Sequence, residues 1–440
     1  MYENPSKPLK ILTLDGGGVQ GLATLLILDK LLKTIQEVNQ TEHKPRPCDV
    51  FDTIAGIGAG GWLAILLGRF RLDITACLLE WYNLTQAVMP RSRTKGYRQR
   101  LFHKSYFDMQ SLENEVERLT RLYGTGSSLF DGSNEQQSVR CKYVFVAALS
   151  ADSKYKKLNF QGWSSARDTE NLRHDYNLFR SYECPGNTKL RRGPKDPKQY
   201  KITNAFCVTG AARYFSGPWK EDMTSNGKVS FLDNIFPKPH NITELALDEM
   251  WGMFGRDVPI SVVVNIGPGM PHQSDVKALA RRFSWGLGTK SSPSSHTPSR
   301  TAKFPPARLN DIELDINGPG EARSKAIRWR GRESSPDSID SDRLAPVRTT
   351  TFFSVAGVYF DEKLKRTEED IEGDIRKKLR NAYLDETKRY FRLAPKQSPP
   401  RTLYNDISQA EVVLDHVTEH LSQQPVAVEL TTASELAAAG

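Results

Sequence analysis

A run of glycines after a short apolar segment is the first stretch of this sequence that could do chemistry. Asp15 is followed by three consecutive glycines, and Gly21 begins a stretch with apolar residues at helical spacing. Glycines at a strand-to-helix junction let successive backbone N–H groups converge beside the positive end of the helix dipole. Such a loop can hold a phosphate or stabilise a developing oxyanion, but the same spacing also occurs in tight turns. A dinucleotide-binding loop would need a following strand that ends in Asp or Glu, and the stretch 36–44 is polar instead.

Gly58 stands at the centre of a second glycine-rich turn, between another apolar segment and a second helical pattern. Gly56 and Gly60 flank it in the frame of the G-x-S-x-G nucleophile elbow, in which the central side chain is exposed on a sharp turn. A glycine at that position offers no nucleophile. On the residues alone, the turn is explained by the need to pack a buried helix against a sheet.

Asp233 is the third candidate, because it ends the apolar segment Val229–Leu232. A carboxylate at the end of a strand in an α/β fold points into the crevice where ligands bind, and it could serve there as a general base. An Asp-Asn pair at this place also fits a simple turn, in which the Asp side chain bonds to nearby backbone. Both interpretations are compatible with the residues.

Strand and helix patterns alternate along the chain, which predicts an α/β fold with a mostly parallel sheet. The predicted strands are Leu9–Leu14, Val50–Ala55, Tyr143–Leu149, Leu178–Tyr182, Val229–Leu232, Ser261–Ile266 and Phe352–Phe360. The predicted helices are Leu22–Ile35, Trp62–Leu67 with Gly68 as its C-cap, Glu368–Tyr390 and Ala410–Leu421. This order places each of the three candidate motifs at the end of a strand.

The order of the three motifs resembles that of the patatin-like phospholipase family. Asp-Gly-Gly-Gly-x-x-Gly follows the first strand, a glycine-rich elbow follows the second, and a strand-end Asp precedes an Asn-x-x-Glu-Leu-Ala-Leu helix. Further matching segments are Phe51-Asp52-Thr53-Ile54, Leu178–Tyr182, Thr203-Asn204-Ala205, Thr209–Phe215 and Ile266-Gly267-Pro268-Gly269. The resemblance covers residues 8–270 and, more loosely, the chain to Tyr390. It implies a three-layer patatin-like fold with a central, mostly parallel sheet flanked by helices.

The resemblance also implies a serine acyl hydrolase with a Ser–Asp dyad and with no histidine, metal or cofactor. Carried over by position, the oxyanion-hole residues are Gly16, Gly17 and Gly18, the elbow glycines are Gly56 and Gly60, the base is Asp233, and Gly58 occupies the nucleophile position. The departures from the family pattern are Gly58 in place of serine, Asn234-Ile235 after the dyad Asp, and Gly210 in a Thr-Ser-Ala-Ala segment. We therefore expect a lipid acyl hydrolase fold without hydrolase activity. The alternative is an active phospholipase or lipid acyl hydrolase that uses an atypical nucleophile with Asp233 as base.

Composition divides the 440 residues into four parts. Residues 8–285 would form the core of the patatin-like domain, and residues 351–395 its C-terminal part. Between them, residues 286–350 are rich in Ser, Pro, Arg and Asp. Such a segment cannot bury enough apolar surface to offset its ordering entropy, which predicts a disordered insertion. Residues 396–440 are predicted to be a polar, partly helical tail.

A formal net charge of +9 favours an acidic partner, and the family resemblance makes a lipid, an anionic membrane surface or a protein partner the expected ones. No nucleic-acid-binding motif accompanies the charge, so nucleic acid is not expected. Five scattered cysteines without a C-x-x-C pair indicate a reducing compartment and no zinc site. With no apolar run near the ~20 residues that span a bilayer, we expect a cytoplasmic protein that can associate with membranes peripherally.

Overall fold

The computed structural model of the chain describes residues 5–88, 108–124, 126–132, 140–150, 176–184, 193–194, 197–211, 219–224, 227–232, 241–269, 368–382, 384, 386–399 and 410–439. The predicted insertion 286–350, the predicted strand Phe352–Phe360 and the candidate base Asp233 all lie outside the described residues. What the sequence predicts for them stays a prediction.

Eight strands within the described residues form a single sheet. They are β1 (Leu9–Leu14), β2 (Thr53–Ile57), β3 (Tyr143–Ser150), β4 (Tyr176–Arg180), β5 (Trp219–Thr224), β6 (Gly227–Leu232), β7 (Ile260–Ile266) and β8 (Tyr390–Leu393). The order is β5-β6-β3-β2-β1-β7-β8, and β4 also pairs with β3. Neighbours from β3 through β2, β1 and β7 to β8 are parallel, whereas the pairings of β4, β5 and β6 are antiparallel. The predicted α/β class with a mostly parallel central sheet is confirmed.

Helices cover both faces of this sheet. They are α1 (Gly21–Asn39), α2 (Pro47–Val50), α3 (Ala59–Ala64), α4 (Ile74–Val88), α5 (Met109–Leu122), α6 (Ile202–Thr209), α7 (Thr243–Phe254), α8 (Glu368–Asn381), α9 (Glu386–Arg389), α10 (Ala410–Ser422) and α11 (Gln424–Ala438). Because side chains alternate along a strand, Leu12 and Leu14 of β1 join the core beneath α1, α3 and α4. Leu9 and Ile11 join a second core beneath α7 and α8. The arrangement is three layers, as expected for a parallel sheet with both faces buried.

Two predictions about the region around the second turn are wrong. Residues 47–50 form a helical turn, and β2 begins at Thr53 rather than at Val50. Pro47 lies in the first turn of α2, where its fixed φ suits a helix and its missing N–H is not needed. Gly68 does not cap the helix, because it lies inside a π-helical turn, Ile65–Arg69, that continues α3. A Cβ at Gly68 would come within 2.6 Å of Val144 Cγ2, so the glycine permits close packing against β3.

The predicted helix Glu368–Tyr390 is three elements. Helix α8 ends at Asn381, the short helix α9 follows, and β8 then pairs with β7 in parallel. Tyr390, Phe391 and Leu393 are buried in the two cores. The charged residues before this short strand make the sequence look continuously helical up to Tyr390, and only the pairing with β7 distinguishes the strand.

Residues 410–438 form two helices that pack against the domain. Helices α10 and α11 both contact α1, and Leu430 and Ala433 are buried in the core there. Lys10 Nζ donates to the carbonyl oxygen of Ala437 at 2.5 Å, close to the C-terminus of α11. A cation at this end of a helix is favourable because the last carbonyls lack partners within the helix. Residues 410–438 are therefore part of the packed structure. No helix among the described residues combines the length and apolar character needed to cross a bilayer.

Lys10 should make the free energy of unfolding depend on pH at alkaline values. Burial lowers the pKa of Lys10 from 10.5 to about 8, with the Arg140 charge acting in the same direction. Between those values the folded protein binds fewer protons than the unfolded chain, so the free energy of unfolding rises with pH. We expect Lys10→Met to reduce this rise in urea unfolding measured across that pH interval. Parallel curves for the two proteins would contradict the assignment.

Candidate functional site

The first glycine motif forms a loop between β1 and α1. The Asp15 N–H donates to Ile266 O at 2.9 Å, and the Gln20 N–H donates to Gly17 O at 3.3 Å. Gly18 has a φ of +61°, a conformation that glycine adopts without strain. A Cβ at Gly17 would come within 2.3 Å of Pro268 Cγ. The loop is therefore held between the end of β1 and the loop that follows β7.

Gly58 occupies a sharp turn between β2 and α3. Its φ of 59° and ψ of −130° lie where residues other than glycine are strained. The turn has the position and backbone form expected of a nucleophile elbow, and Gly58 leaves it without a side chain.

Gly56 and Gly60 allow the turn to be this tight. A Cβ at Gly56 would come within 2.1 Å of the Gly60 carbonyl oxygen, and a Cβ at Gly60 within 2.2 Å of the Leu14 carbonyl oxygen. Helix α3 thus begins directly against the end of β1, one residue before Asp15. The two glycine motifs, 42 residues apart between Gly16 and Gly58, form one site at the carboxyl edge of the sheet.

Gly60→Ala should be strongly destabilising. The added methyl group would meet backbone atoms of Leu14 and Asp15, which cannot move without distorting β1. We expect a loss of about 2–4 kcal/mol in the free energy of unfolding, measured by urea denaturation. Gly373→Ala in α8 is the matched control, because nothing lies within 4 Å of its Cβ position. The control should gain up to about 1 kcal/mol, and equal losses in both variants would contradict the close approach at Gly60.

Thr209 places a hydroxyl group at the second turn. The Gly58 N–H donates to Thr209 Oγ1 at 3.1 Å, and Thr209 Oγ1 donates to Ala147 O at 3.0 Å. Thr209 is fully buried at the end of α6. The hydroxyl proton and one lone pair are thus engaged, and the side chain ties the turn to β3 and α6. The sequence contains Thr209 in a family-like segment but gives no indication of this contact.

Gly210 is explained by its neighbour Trp62. A Cβ at Gly210 would come within 2.6 Å of Trp62 Nε1. The same indole N–H donates to Phe206 O at 2.9 Å. A serine at position 210 would therefore displace the Trp62 ring. Gly210 therefore leaves the space that the Trp62 ring occupies. Its departure from the serine of the family pattern is explained by this packing against α3.

Asp15 leads into the glycine loop and is buried, with 4% of its surface exposed. Asn265 Nδ2 donates to Oδ1 at 2.9 Å, and Arg392 Nη1 donates to Oδ2 at 2.6 Å. Burial raises the pKa of Asp15, and the charge and hydrogen bonds of Arg392 and Asn265 oppose that rise. The sequence motif includes Asp15 but not its partners. Arg392, 377 residues away along the chain, carries no local signal that could have identified it.

The candidate base Asp233 lies outside the described residues, together with Asn234 and Ile235. The strand before it, β6, ends at Leu232, which pairs with Leu149 of β3. Ala147 of β3 in turn pairs with Ile57, next to Gly58. Strand β6 therefore ends beside β3 at the edge of the sheet that carries both glycine motifs.

The described residues form a three-layer α/β domain with a glycine loop after β1 and a tight turn after β2. Residues 12–190 match the family model "Patatin-like phospholipase". This part of the chain is therefore similar to the patatin-like phospholipase family.

Several curated relatives are similar over part of their length. Patatin-like phospholipase 1 of Plasmodium falciparum is 24% identical over 61% of this chain and 36% of its own length. Human calcium-independent phospholipase A2-gamma is 30% identical over 63% of this chain and 30% of its own length. The chain thus spans about a third of these relatives. Among solved structures, VipD from Legionella pneumophila aligns with 64% of this chain and 54% of that chain, at a TM-score of 0.27 and 12% identity.

Proposed function

We propose that this domain binds an acyl lipid at the junction of its two glycine motifs without hydrolysing it. The observation that carries the proposal is Gly58, which lies in the backbone conformation of an elbow and has no atom able to attack an ester. Glycine is also the residue that occupies such a conformation with least strain. Loss of the serine would therefore leave the fold intact and remove the chemistry.

The glycine loop before α1 supports binding. The loop of Gly16, Gly17 and Gly18 begins at the N-terminal side of α1, where backbone N–H groups and the helix dipole favour a negative or polarised oxygen. A net charge of +9 is compatible with anionic lipid as the ligand class. A hydrolase without its nucleophile keeps only about 10³–10⁴-fold acceleration over water from such features. That rate would be negligible for a phospholipid, so binding is the proposed role.

The alternative is hydrolysis by another nucleophile, with Asp233 as base. Thr209 favours it by position, since its Oγ1 lies 3.1 Å from the Gly58 nitrogen. Its hydroxyl proton is donated to Ala147 O, however, and the buried side chain would have to break both bonds to attack. We therefore place non-catalytic binding first.

A fluorophosphonate probe and a p-nitrophenyl ester assay test the choice on the full chain. The proposal expects no covalent labelling and no turnover, together with saturable binding of dodecylphosphonate measured by calorimetry. Thr209→Val is the matched control, because it keeps the shape and removes the hydroxyl. Stoichiometric labelling of the wild-type protein that Thr209→Val abolishes would establish the alternative and reject the proposal.

A further inference from the structure

We propose that Arg392 positions the glycine loop and balances the negative charge that lies at its start. This inference rests on the proposed function, because it concerns how the same loop accommodates an anionic group. Its main observation is the ion pair between Arg392 Nη1 and Asp15 Oδ2, at 2.6 Å, with side-chain exposures of 9% and 4%. Asp15 immediately precedes Gly16, so whatever holds its carboxylate also fixes where the loop begins.

The ion pair belongs to a polar network that joins three parallel strands. Asn265 of β7 donates to both Asp15 Oδ1 and Thr13 Oγ1 of β1, at 2.9 and 3.1 Å. Arg392 also donates to Asn265 Oδ1. Asn241 Nδ2 lies 3.3 Å from Asn265 Oδ1 and 3.3 Å from the Tyr390 hydroxyl. Buried polar groups that are bonded this fully hold one geometry.

Arg392 also contacts a second carboxylate. Its Nε lies 3.4 Å from Glu372 Oε1 on α8. The loop after β7 packs closely against the same region. A Cβ at Gly267 would come within 2.7 Å of Asp15 Oδ2, and a Cβ at Gly17 would meet the Pro268 ring. The glycine loop near the N-terminus is thus fixed by β7, β8 and α8, all of which lie beyond the residues that match the family model.

The charge on Arg392 matters as much as its bonds. A buried carboxylate beside the loop would repel an anionic oxygen placed there, and this repulsion is strong where solvent does not screen it. Arg392 offsets the Asp15 charge at 2.6 Å, and it also faces the partly exposed carboxylate of Glu372 at 3.4 Å. Removing the guanidinium while keeping Asp15 should therefore loosen the loop and lower its affinity for anions. Neutralising both Asp15 and Arg392 should restore the affinity for anions. It should restore the rigidity of the loop only in part, because the ion pair is absent.

Two measurements on the full chain test this. The first is hydrogen–deuterium exchange of the peptide that covers Asp15–Gly21, in wild type, Arg392→Lys, Arg392→Met and Asp15→Asn/Arg392→Met. We expect exchange there at least ~10-fold faster in Arg392→Met, with peptides of β4 and α7 unchanged, and near-normal exchange in Arg392→Lys. The second is calorimetric binding of dodecylphosphonate and of neutral dodecanol. Arg392→Met should weaken phosphonate binding at least ~10-fold and dodecanol binding little, and the double variant should recover phosphonate affinity.

Lys378→Met is the control for net charge, because it removes a cation of α8 that pairs with Asp248 and Glu244 on α7 instead. It should leave both measurements unchanged. Unchanged loop exchange in Arg392→Met, or faster exchange throughout the protein, would overturn the positioning role. Equal loss of phosphonate and dodecanol binding would overturn the charge-balancing role. If exchange rises only in the loop while the wild type binds neither compound, the positioning role stands and the proposed function fails.

Discussion

Gly58→Ser is expected to acquire ester hydrolysis that the wild-type protein lacks. The substitution adds a hydroxyl at a turn that has the backbone form of an elbow, beside a loop that can stabilise an oxyanion. Restoring a nucleophile should raise the rate on a p-nitrophenyl ester at least ~10²-fold above wild type, because loss of a catalytic serine costs far more than that in serine hydrolases. Fluorophosphonate labelling of Ser at position 58 would identify the nucleophile directly.

The same substitution should reduce stability. A residue with a Cβ at a φ of 59° is strained by about 1–3 kcal/mol. Gly58→Ala is the matched control, since it has the same backbone strain without the hydroxyl. We expect both variants to lose similar free energy of unfolding and only Gly58→Ser to hydrolyse ester. Equal, background rates in two folded variants would show that the site lacks more than its nucleophile, with Asn234-Ile235 as the next positions to restore.

The glycine motifs could be predicted from the sequence because their cause is local. Gly56 and Gly60 are required because a strand, a turn and a helix meet within five residues and leave no room for a Cβ. The spacing of the two glycines in the sequence therefore predicts the tight turn. The order of strands and helices could be predicted for the same reason, because the spacing of apolar residues within each segment indicates its type. The predicted roles of Gly16, Gly17, Gly18 and Asp233 go further, because they come from family resemblance, and they remain predictions.

The contacts that hold the site could not be predicted. Arg392 meets Asp15 only because β8 pairs with β7 and β7 with β1, and no local pattern reports a partner hundreds of residues away. Thr209 similarly reaches Gly58 only after α6 has packed on the sheet. The short strand β8 directly follows the charged helices α8 and α9, so the sequence pattern did not distinguish its start. In each case the missing information is which elements are neighbours, and that is set by the packing of the whole domain.

Glu249→Gln is expected to cause the largest loss of stability, about 3–5 kcal/mol in the free energy of unfolding. Glu249 of α7 accepts two hydrogen bonds from Arg180 of β4, at 2.5 and 2.8 Å, and one from the Tyr182 hydroxyl at 2.9 Å. The side chains of Arg180 and Glu249 are 5% and 1% exposed. Removing the carboxylate charge leaves a buried guanidinium without compensation, which costs far more than the net contribution of the pair.

Two comparisons define the cause of that loss. The variant Arg180→Met/Glu249→Leu replaces both charges with apolar groups of similar volume and should recover most of the stability, since buried pairs are often no better than such replacements. Glu183→Gln removes one member of an exposed pair, Lys198–Glu183, with exposures of 55% and 57%, and should cost less than about 1 kcal/mol. A similar loss in the double variant would mean that shape, not charge, holds α7 against β4. The Arg180–Glu249 pair lies on β4 and α7, away from the glycine loop. We therefore expect Glu249→Gln to bind dodecylphosphonate normally at a temperature where the variant is folded. That result would separate loss of stability from loss of the binding site.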